Sequence, residues 1–298
     1  MVYLECDILG NHKKIEIESI EYGNDDKVIK YDDTHYYYNV DKKHQKSFKI
    51  LLKILNLWND LVKKFGIQYW ACAGTLLGAV RHGGFIFWDN DVDISMMLSD
   101  FKKVKHILEN HPVLSCCVCE HGFQVRYRDY EFPFMDIFVC DYYDKNTIKY
   151  CGFLTNDGKP TWFTDYFFPN EHIYHNELFP LKNIAFENTT IMAPNIQKNV
   201  LFRAYSNKCL TACKIANHTD VHETASKKMM ELRYHTMKKI YHIETALKVP
   251  RNIMFTTLQY KLTKKIQKKM NNNNQNSVFN KVILTSVNKL DDLINVIT

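Results

Sequence analysis

The chain is short of the residues that interrupt regular structure: ten glycines and seven prolines in 298 positions, too few for a collagen-like, linker-like or loop-dominated protein. No apolar run approaches the roughly 20 residues that cross a bilayer. The opening Met1-Val2-Tyr3-Leu4-Glu5-Cys6-Asp7 has neither a basic n-region nor an unbroken apolar h-region. A cleaved secretory signal is therefore not expected, and a soluble, cytoplasmic protein is. No pair of CxxC motifs gives tetrahedral zinc spacing among the nine scattered cysteines, so reduced thiols are the default. The densest group, Cys116-Cys117-Val118-Cys119 followed by His121, reads either as half of a metal site or as a strand in which cysteine is a small hydrophobe. Nor is one charge in large excess: 39 Lys and Arg against 33 Asp and Glu leave +6, which does not require dedicated nucleic-acid binding. What the chain does have is 46% hydrophobic and 13% aromatic residues, enough for a sizeable core. Its length fits one large domain with appendages or two modest ones.

Residues 1–43 are polar, with short alternating runs such as Lys14-Ile15-Glu16-Ile17-Glu18; an edge hairpin or an added strand is expected there, without chemistry. From 44 to 65, Phe48, Leu51, Leu52, Leu55, Trp58, Leu61 and Val62 recur at intervals of three and four, the pattern of a helix with one buried face. Gly66 ends it. A strand at 67–71, a turn entering a short helix at 74–80, a strand at 92–98 and a helix from 99 to about 110 follow. Three apolar runs at 113–118, 123–127 and 132–139 then complete a mixed sheet flanked by helices, an α/β (α+β) core over 44–143. Residues 144–220 form a second half whose first part is rich in aromatics, among them Trp162, Phe163, Tyr166, Phe167, Phe168 and Phe179, as in a segment that covers a cleft. Residues 221–298 read as helical around an Asn-rich linker at 271–276. Met254, Leu258, Leu262, Ile266 and Met270 recur every four residues beside Lys261, Lys264, Lys265, Lys268 and Lys269. That basic amphipathic helix either meets an anionic membrane or partner, or is a solvated lysine face over a docked apolar stripe.

The chemistry concentrates in Trp88-Asp89-Asn90-Asp91-Val92-Asp93-Ile94, where three carboxylates alternate and would share one face of a strand. Their mutual repulsion is tolerable when they share a divalent cation such as Mg2+ or Mn2+, for which hard oxygen ligands are suited. An EF-hand fails: the sixth loop position is Ile94 instead of Gly and the twelfth is Asp100 instead of Glu. A solvated acidic turn is the plainer alternative. Upstream, Gly74-Thr75-Leu76-Leu77-Gly78-Ala79-Val80-Arg81-His82 places a glycine and a hydroxyl at the start of a helix, where backbone N–H groups can approach a phosphate. Downstream, Phe134-Met135-Asp136-Ile137-Phe138 sets a lone Asp in an apolar run, costly unless paired or metal-bound.

A Gly-Thr helix start, an Asp-x-Asp strand and an isolated third Asp together resemble the polymerase-β-like nucleotidyltransferase fold. The blocks Ile67-Gln68-Tyr69-Trp70, Gly74 to His82 and Phe85-Ile86-Phe87-Trp88-Asp89-Asn90-Asp91-Val92-Asp93-Ile94 are similar to the signature of the LicD family. That family includes bacterial phosphocholine transferases and, more distantly, fukutin and fukutin-related protein. Leu178-Phe179-Pro180-Leu181-Lys182, Phe186-Glu187, Ala193-Pro194-Asn195 and Tyr205 resemble its second half, so the likeness covers about 48–220. Phe87 stands where the family usually has Pro, Asn90 where a further Asp is common, and Ser206 where Gly tends to follow the Tyr.

The resemblance implies a metal-dependent phosphotransferase (EC 2.7.-). Its donor would be a nucleotide-diphospho-alcohol, such as CDP-linked choline or alditol, and its acceptor a hydroxyl of a glycan or glycoconjugate, with nucleoside monophosphate released. Asp91 and Asp93, joined by Asp89, would hold Mg2+ or Mn2+, and Asp136 would be the third ligand or the base. Gly74 and Thr75 would hold donor phosphate. Arg81 would clamp phosphate or make a structural salt bridge, and Arg126 and Arg128, sharing a strand face, would line the cleft or the surface. His82 would move a proton or be structural, and Trp88 and Trp70 would stack a base or a quaternary ammonium or pack the core. Two other readings stay open: a nucleotidyl transfer to RNA, protein or a small molecule with pyrophosphate release, and a degenerate, non-catalytic interaction module.

Overall fold

A long amphipathic helix organises the molecule. In the computed structural model α1 spans Lys42–Phe65; Phe48, Leu51, Leu52, Ile54, Leu55, Trp58 and Val62 lie on its buried side. Asp41 caps its start by accepting the His44 N–H at 2.7 Å, and Gly66 ends it, returning its N–H to the Val62 carbonyl. The structure describes residues 1–215 other than 23–26, 120, 129, 131, 153, 155–157, 161, 163–167 and 169. The expected helices and linker of 221–298, with the lysine-rich face at 261–269, lie outside the described residues, as do Phe163, Tyr166 and Phe167.

Before α1 come β1 (Val2–Ile8), β2 (Asn11–Ile17), β3 (Ser19–Tyr22), β4 (Val28–Asp32) and β5 (His35–Tyr38). They are richer in pairing than the single hairpin or added strand expected. Four of them form a sheet ordered β2-β1-β5-β4, and the alternation that the polar composition obscures is plain in β1, where Leu4, Cys6 and Ile8 are buried. These side chains join the same apolar cluster as α1. After α1 come β6 (Tyr69–Ala71), α2 (Ala73–His82), β7 (Val92–Met97), α3 (Phe101–Glu109), β8 (Leu114–Cys119), β9 (Gly122–Tyr127) and β10 (Met135–Tyr142). The second half supplies β11 (Thr147–Tyr150), β12 (Ile173–Tyr174), α4 (His175–Leu178), β13 (Lys182–Phe186), β14 (Thr189–Ala193), α5 (Gln197–Ala204) and β15 (Ala212–Ile215).

The central sheet runs β12-β11-β10-β7-β6, with the β8–β9 hairpin also joined to β10, so the fold is mixed α+β. At its centre β7 and β10 are parallel, with Asp93 opposite Asp136 and Ile94 opposite Ile137. Side chains alternate across a strand. Val92, Ile94, Met96, Met135, Ile137 and Val139 therefore point into the main core, while Phe138, Cys140, Ile148 and Tyr150 join Trp70 and Leu178 in a smaller cluster on the opposite face. The two aspartates lie on that second face. Further out, β15 pairs in parallel with β3. Lys13 Nζ, on β2, meets Glu187 Oε1 at 2.5 Å, and the same oxygen accepts the Phe85 N–H at 2.9 Å. The N-terminal sheet, the loop before β7 and the β13–β14 turn are thus tied at one point.

Candidate active site

β7 begins at Val92, so Asp93 is on the strand whereas Asp89 and Asp91 precede it. The expectation of one strand face carrying all three carboxylates holds only for its last member. The parallel register supplies the rest: it sets Asp136 beside Asp93, and one carboxylate oxygen from each of Asp91, Asp93 and Asp136 falls within 4.8 Å of the others. Burial, followed by the charges of Asp91, Asp136, Asp89 and Glu171, pushes the Asp93 carboxyl well above the usual carboxylate range. Asp136 Oδ1 is buried with no aligned hydrogen bond among the described residues. Crowded hard oxygens, one of them without an aligned hydrogen bond, fit a divalent cation, whose charge would relieve both conditions.

The start of α2 is latched to this strand. Thr75 Oγ1 accepts the Asp93 N–H at 2.8 Å, and the Asp93 carbonyl accepts the Cys72 N–H at 3.2 Å. Thr75 is buried, so its oxygen is used in the fold. Gly74 is needed for a close approach: a Cβ there would stand 2.4 Å from Asp89 Oδ2. The Asp89 carboxylate thus lies over the first turn of α2, where the helix dipole favours a negative group, and outside the three-carboxylate cluster. His44, on α1, holds the loop through a 2.6 Å contact of Nε2 with the Asp89 carbonyl.

The other residues singled out in the sequence are spread wider. Arg81 and His82 end α2, about 12 Å along the helix from Gly74 at 1.5 Å per residue. Arg81 Nη1 reaches the Cys209 carbonyl at 3.4 Å, and His82 Nε2 lies 2.7 Å from the Phe85 carbonyl. Burial, then Arg81, drives the His82 pKa down to about 3, so its ring is neutral at physiological pH and ill suited to shuttle protons. Trp88 packs beside Tyr38, ring centroids 5.7 Å apart, and Trp70 is buried in the smaller apolar cluster. Arg126 shares the Asp136 face through the register of β9 and β10, and its Nη2 is 3.2 Å from Cys117 Sγ. Arg128 binds the carbonyls of His111 and Leu114.

Three residues near the cluster were not anticipated in these roles. His121 Nε2 lies 3.1 Å from Asp136 Oδ1 and 3.1 Å from Cys119 Sγ. Of the half-site, Cys119 and His121 meet, whereas Cys116 packs toward the main core, on the opposite face of β8 from Cys117 and Cys119. Glu171 accepts the Tyr150 hydroxyl at 2.7 Å, and burial raises its pKa. The pair lines a pocket with Trp70, Cys72, Ile173 and Tyr205.

A mixed sheet whose central parallel strands converge carboxylates beside a glycine-started helix defines an α+β protein with a candidate cation-binding site. Residues 66–196 match the family described as LicD/FKTN/FKRP, nucleotidyltransferase domain, so the stretch that carries the glycine-started helix and the three carboxylates is the part similar to that family. Among its relatives, an uncharacterized protein of Rickettsia prowazekii is 33% identical over 167 residues, covering 55% of this chain and 58% of the relative. Lipopolysaccharide cholinephosphotransferase LicD of Haemophilus influenzae is 39% identical over 54 residues, 18% of this chain and 20% of that one. Ribitol 5-phosphate transferase FKRP of Homo sapiens is 31% identical over 148 residues, 46% of this chain and 27% of the relative. The chain therefore spans between a fifth and three-fifths of these relatives. No helix among the described residues is long and apolar enough to cross a membrane.

Proposed function

We propose that the protein is a divalent-cation-dependent transferase with a nucleotidyltransferase-type core. It would move a phospho-alcohol, such as phosphocholine or an alditol phosphate, from a CDP-linked donor to a hydroxyl of a glycan or glycoconjugate and release nucleoside monophosphate. The observation that carries this reading is the juxtaposition of Asp93 and Asp136 across parallel strands with Asp91 within 4.8 Å; the named relatives, a cholinephosphotransferase and a ribitol 5-phosphate transferase, supply the reaction class. Asp91, Asp93 and Asp136 would hold Mg2+ or Mn2+, which when bound neutralises charge on the phosphates and on the leaving group. Asp93 is kept in place by the Thr75 hydroxyl and the Cys72 N–H. Asp89 and the first turn of α2 border the space for the donor phosphates, and Arg126 stands on the same sheet face. Of the two readings of the lysine-rich segment 261–269, contact with an anionic membrane or partner and a solvated face, the first belongs to this proposal.

The test is release of CMP from CDP-choline and CDP-ribitol with Mg2+ or Mn2+ and a glycan acceptor. Release that needs the metal and is lost in Asp93→Ala supports the reading. Metal-independent release, or full activity in Asp93→Ala, refutes it; pyrophosphate release from a nucleoside triphosphate would instead mark a nucleotidyl transfer.

A further inference from the structure

We infer that His121 is a positioning residue that holds the Asp136 carboxylate in the geometry needed to bind a divalent cation. The inference rests on the metal-binding part of the function proposed above. The histidine is buried, at 8% exposure, and its Nε2 is 3.1 Å from Asp136 Oδ1, the oxygen that has no aligned hydrogen bond among the described residues.

Two further features fix the ring. It stacks on Phe138 with centroids 4.6 Å apart and planes 30° from parallel, and Phe138 follows Asp136 by two residues on the same face of β10. The His121 carbonyl also accepts the Val139 N–H at 2.8 Å, which anchors the backbone to that strand. The next residue, Gly122, has φ +144, and a Cβ there would lie 2.3 Å from the Ile137 carbonyl oxygen. The β8–β9 turn is thus pressed against β10 closely enough for the imidazole to face Asp136. A group that orients a ligating carboxylate in this way typically changes metal affinity 10- to 100-fold when removed. Cys119 Sγ, 3.1 Å from the same Nε2, is the competing partner of that nitrogen.

The experiment uses the full chain, freed of metal with a chelator and titrated with Mn2+ without nucleotide, free Mn2+ being read by its EPR signal. His121→Ala should bind Mn2+ about 10- to 100-fold more weakly, and His121→Gln, whose amide N–H can replace the ring donor, should recover most of the loss. Thermal unfolding of the metal-free variants, followed by circular dichroism, should show both folded. Parent-like Mn2+ affinity in His121→Ala overturns the inference. So does an affinity loss that tracks unfolding and is not restored by Gln. So does directly bonded nitrogen in the pulsed-EPR spectrum of bound Mn2+, which would make His121 a ligand. Asp93→Ala separates the two failures: if the parent binds no Mn2+, the metal-binding reading falls with the inference. If the parent binds, Asp93→Ala does not and His121→Ala binds as the parent does, the inference alone falls.

Discussion

Asp93 carries the sharpest conflict between stability and chemistry. Its carboxyl is raised by burial and by the neighbouring carboxylates, so the folded, metal-free protein binds a proton there more tightly than the unfolded chain. The stability from that proton is complete below the unfolded carboxylate pKa and is lost as pH rises through the folded one. Asp93→Asn should therefore raise the melting temperature of the metal-free protein at pH 7 and, under the function proposed above, lower kcat/KM by about 10³-fold. A scanning calorimeter and a CMP-release assay check the two halves. His82 works in the opposite sense. Its pKa is lowered to about 3, so between about pH 3 and the ordinary histidine value near 6.5 the unfolded chain takes up a proton that the native state refuses. Stability falls as pH drops through that window. His82→Gln should flatten the pH dependence of the unfolding free energy there, read by urea denaturation, by up to about 1.4 kcal/mol per pH unit, leaving stability at pH 8 little changed.

At the scale of elements, the junction of α2 and β7 and the turn between β8 and β9 place the site. Thr75→Val keeps the shape of the side chain but removes the acceptor of the buried Asp93 N–H. Leaving that donor unpaired should cost about 1–3 kcal/mol, measured as a lowered urea midpoint, with weaker Mn2+ binding because the Asp93 strand end is released. Gly122→Ala meets two obstacles together, a φ of +144 and a carbonyl oxygen 2.3 Å from the new Cβ. It should destabilise by about 2 kcal/mol or more, seen in chemical denaturation. The strands and helices of 44–142 were largely readable, because α1, α3 and the buried strands announce themselves by apolar period. The strand alternation at 89–93 was misread, since Asp89 and Asp91 lie before β7 begins.

At the scale of the molecule, a shared core and a buried ion pair tie the N-terminal sheet to the rest of the described residues. Glu187 is 1% exposed at its side chain and Lys13 14%, so Lys13→Ala would strand a buried carboxylate beside the loop that leads to Asp89. A loss of about 3–5 kcal/mol is expected, with the thermal transition lowered, whereas removal of an exposed lysine such as Lys30 leaves the transition little changed. Neither partner could be matched from sequence, because Lys13 and Glu187 are separated by 174 positions and each looks like an ordinary surface charge.

Local spacing was enough to locate the amphipathic α1 and the strands that become β7 and β10, and to single out Asp91, Asp93 and Asp136 as candidates, because period and residue type act over a few neighbouring positions. Which side chains meet is a matter of register and crossing. The parallel pairing of β7 with β10 brings Asp136 to Asp93, the tight turn at Gly122 brings His121 to Asp136, and the end of α2 directs Arg81 to the Cys209 carbonyl. Those contacts join positions far apart along the chain, and their geometry is set when strands pair and pack, a step that composition and period do not encode.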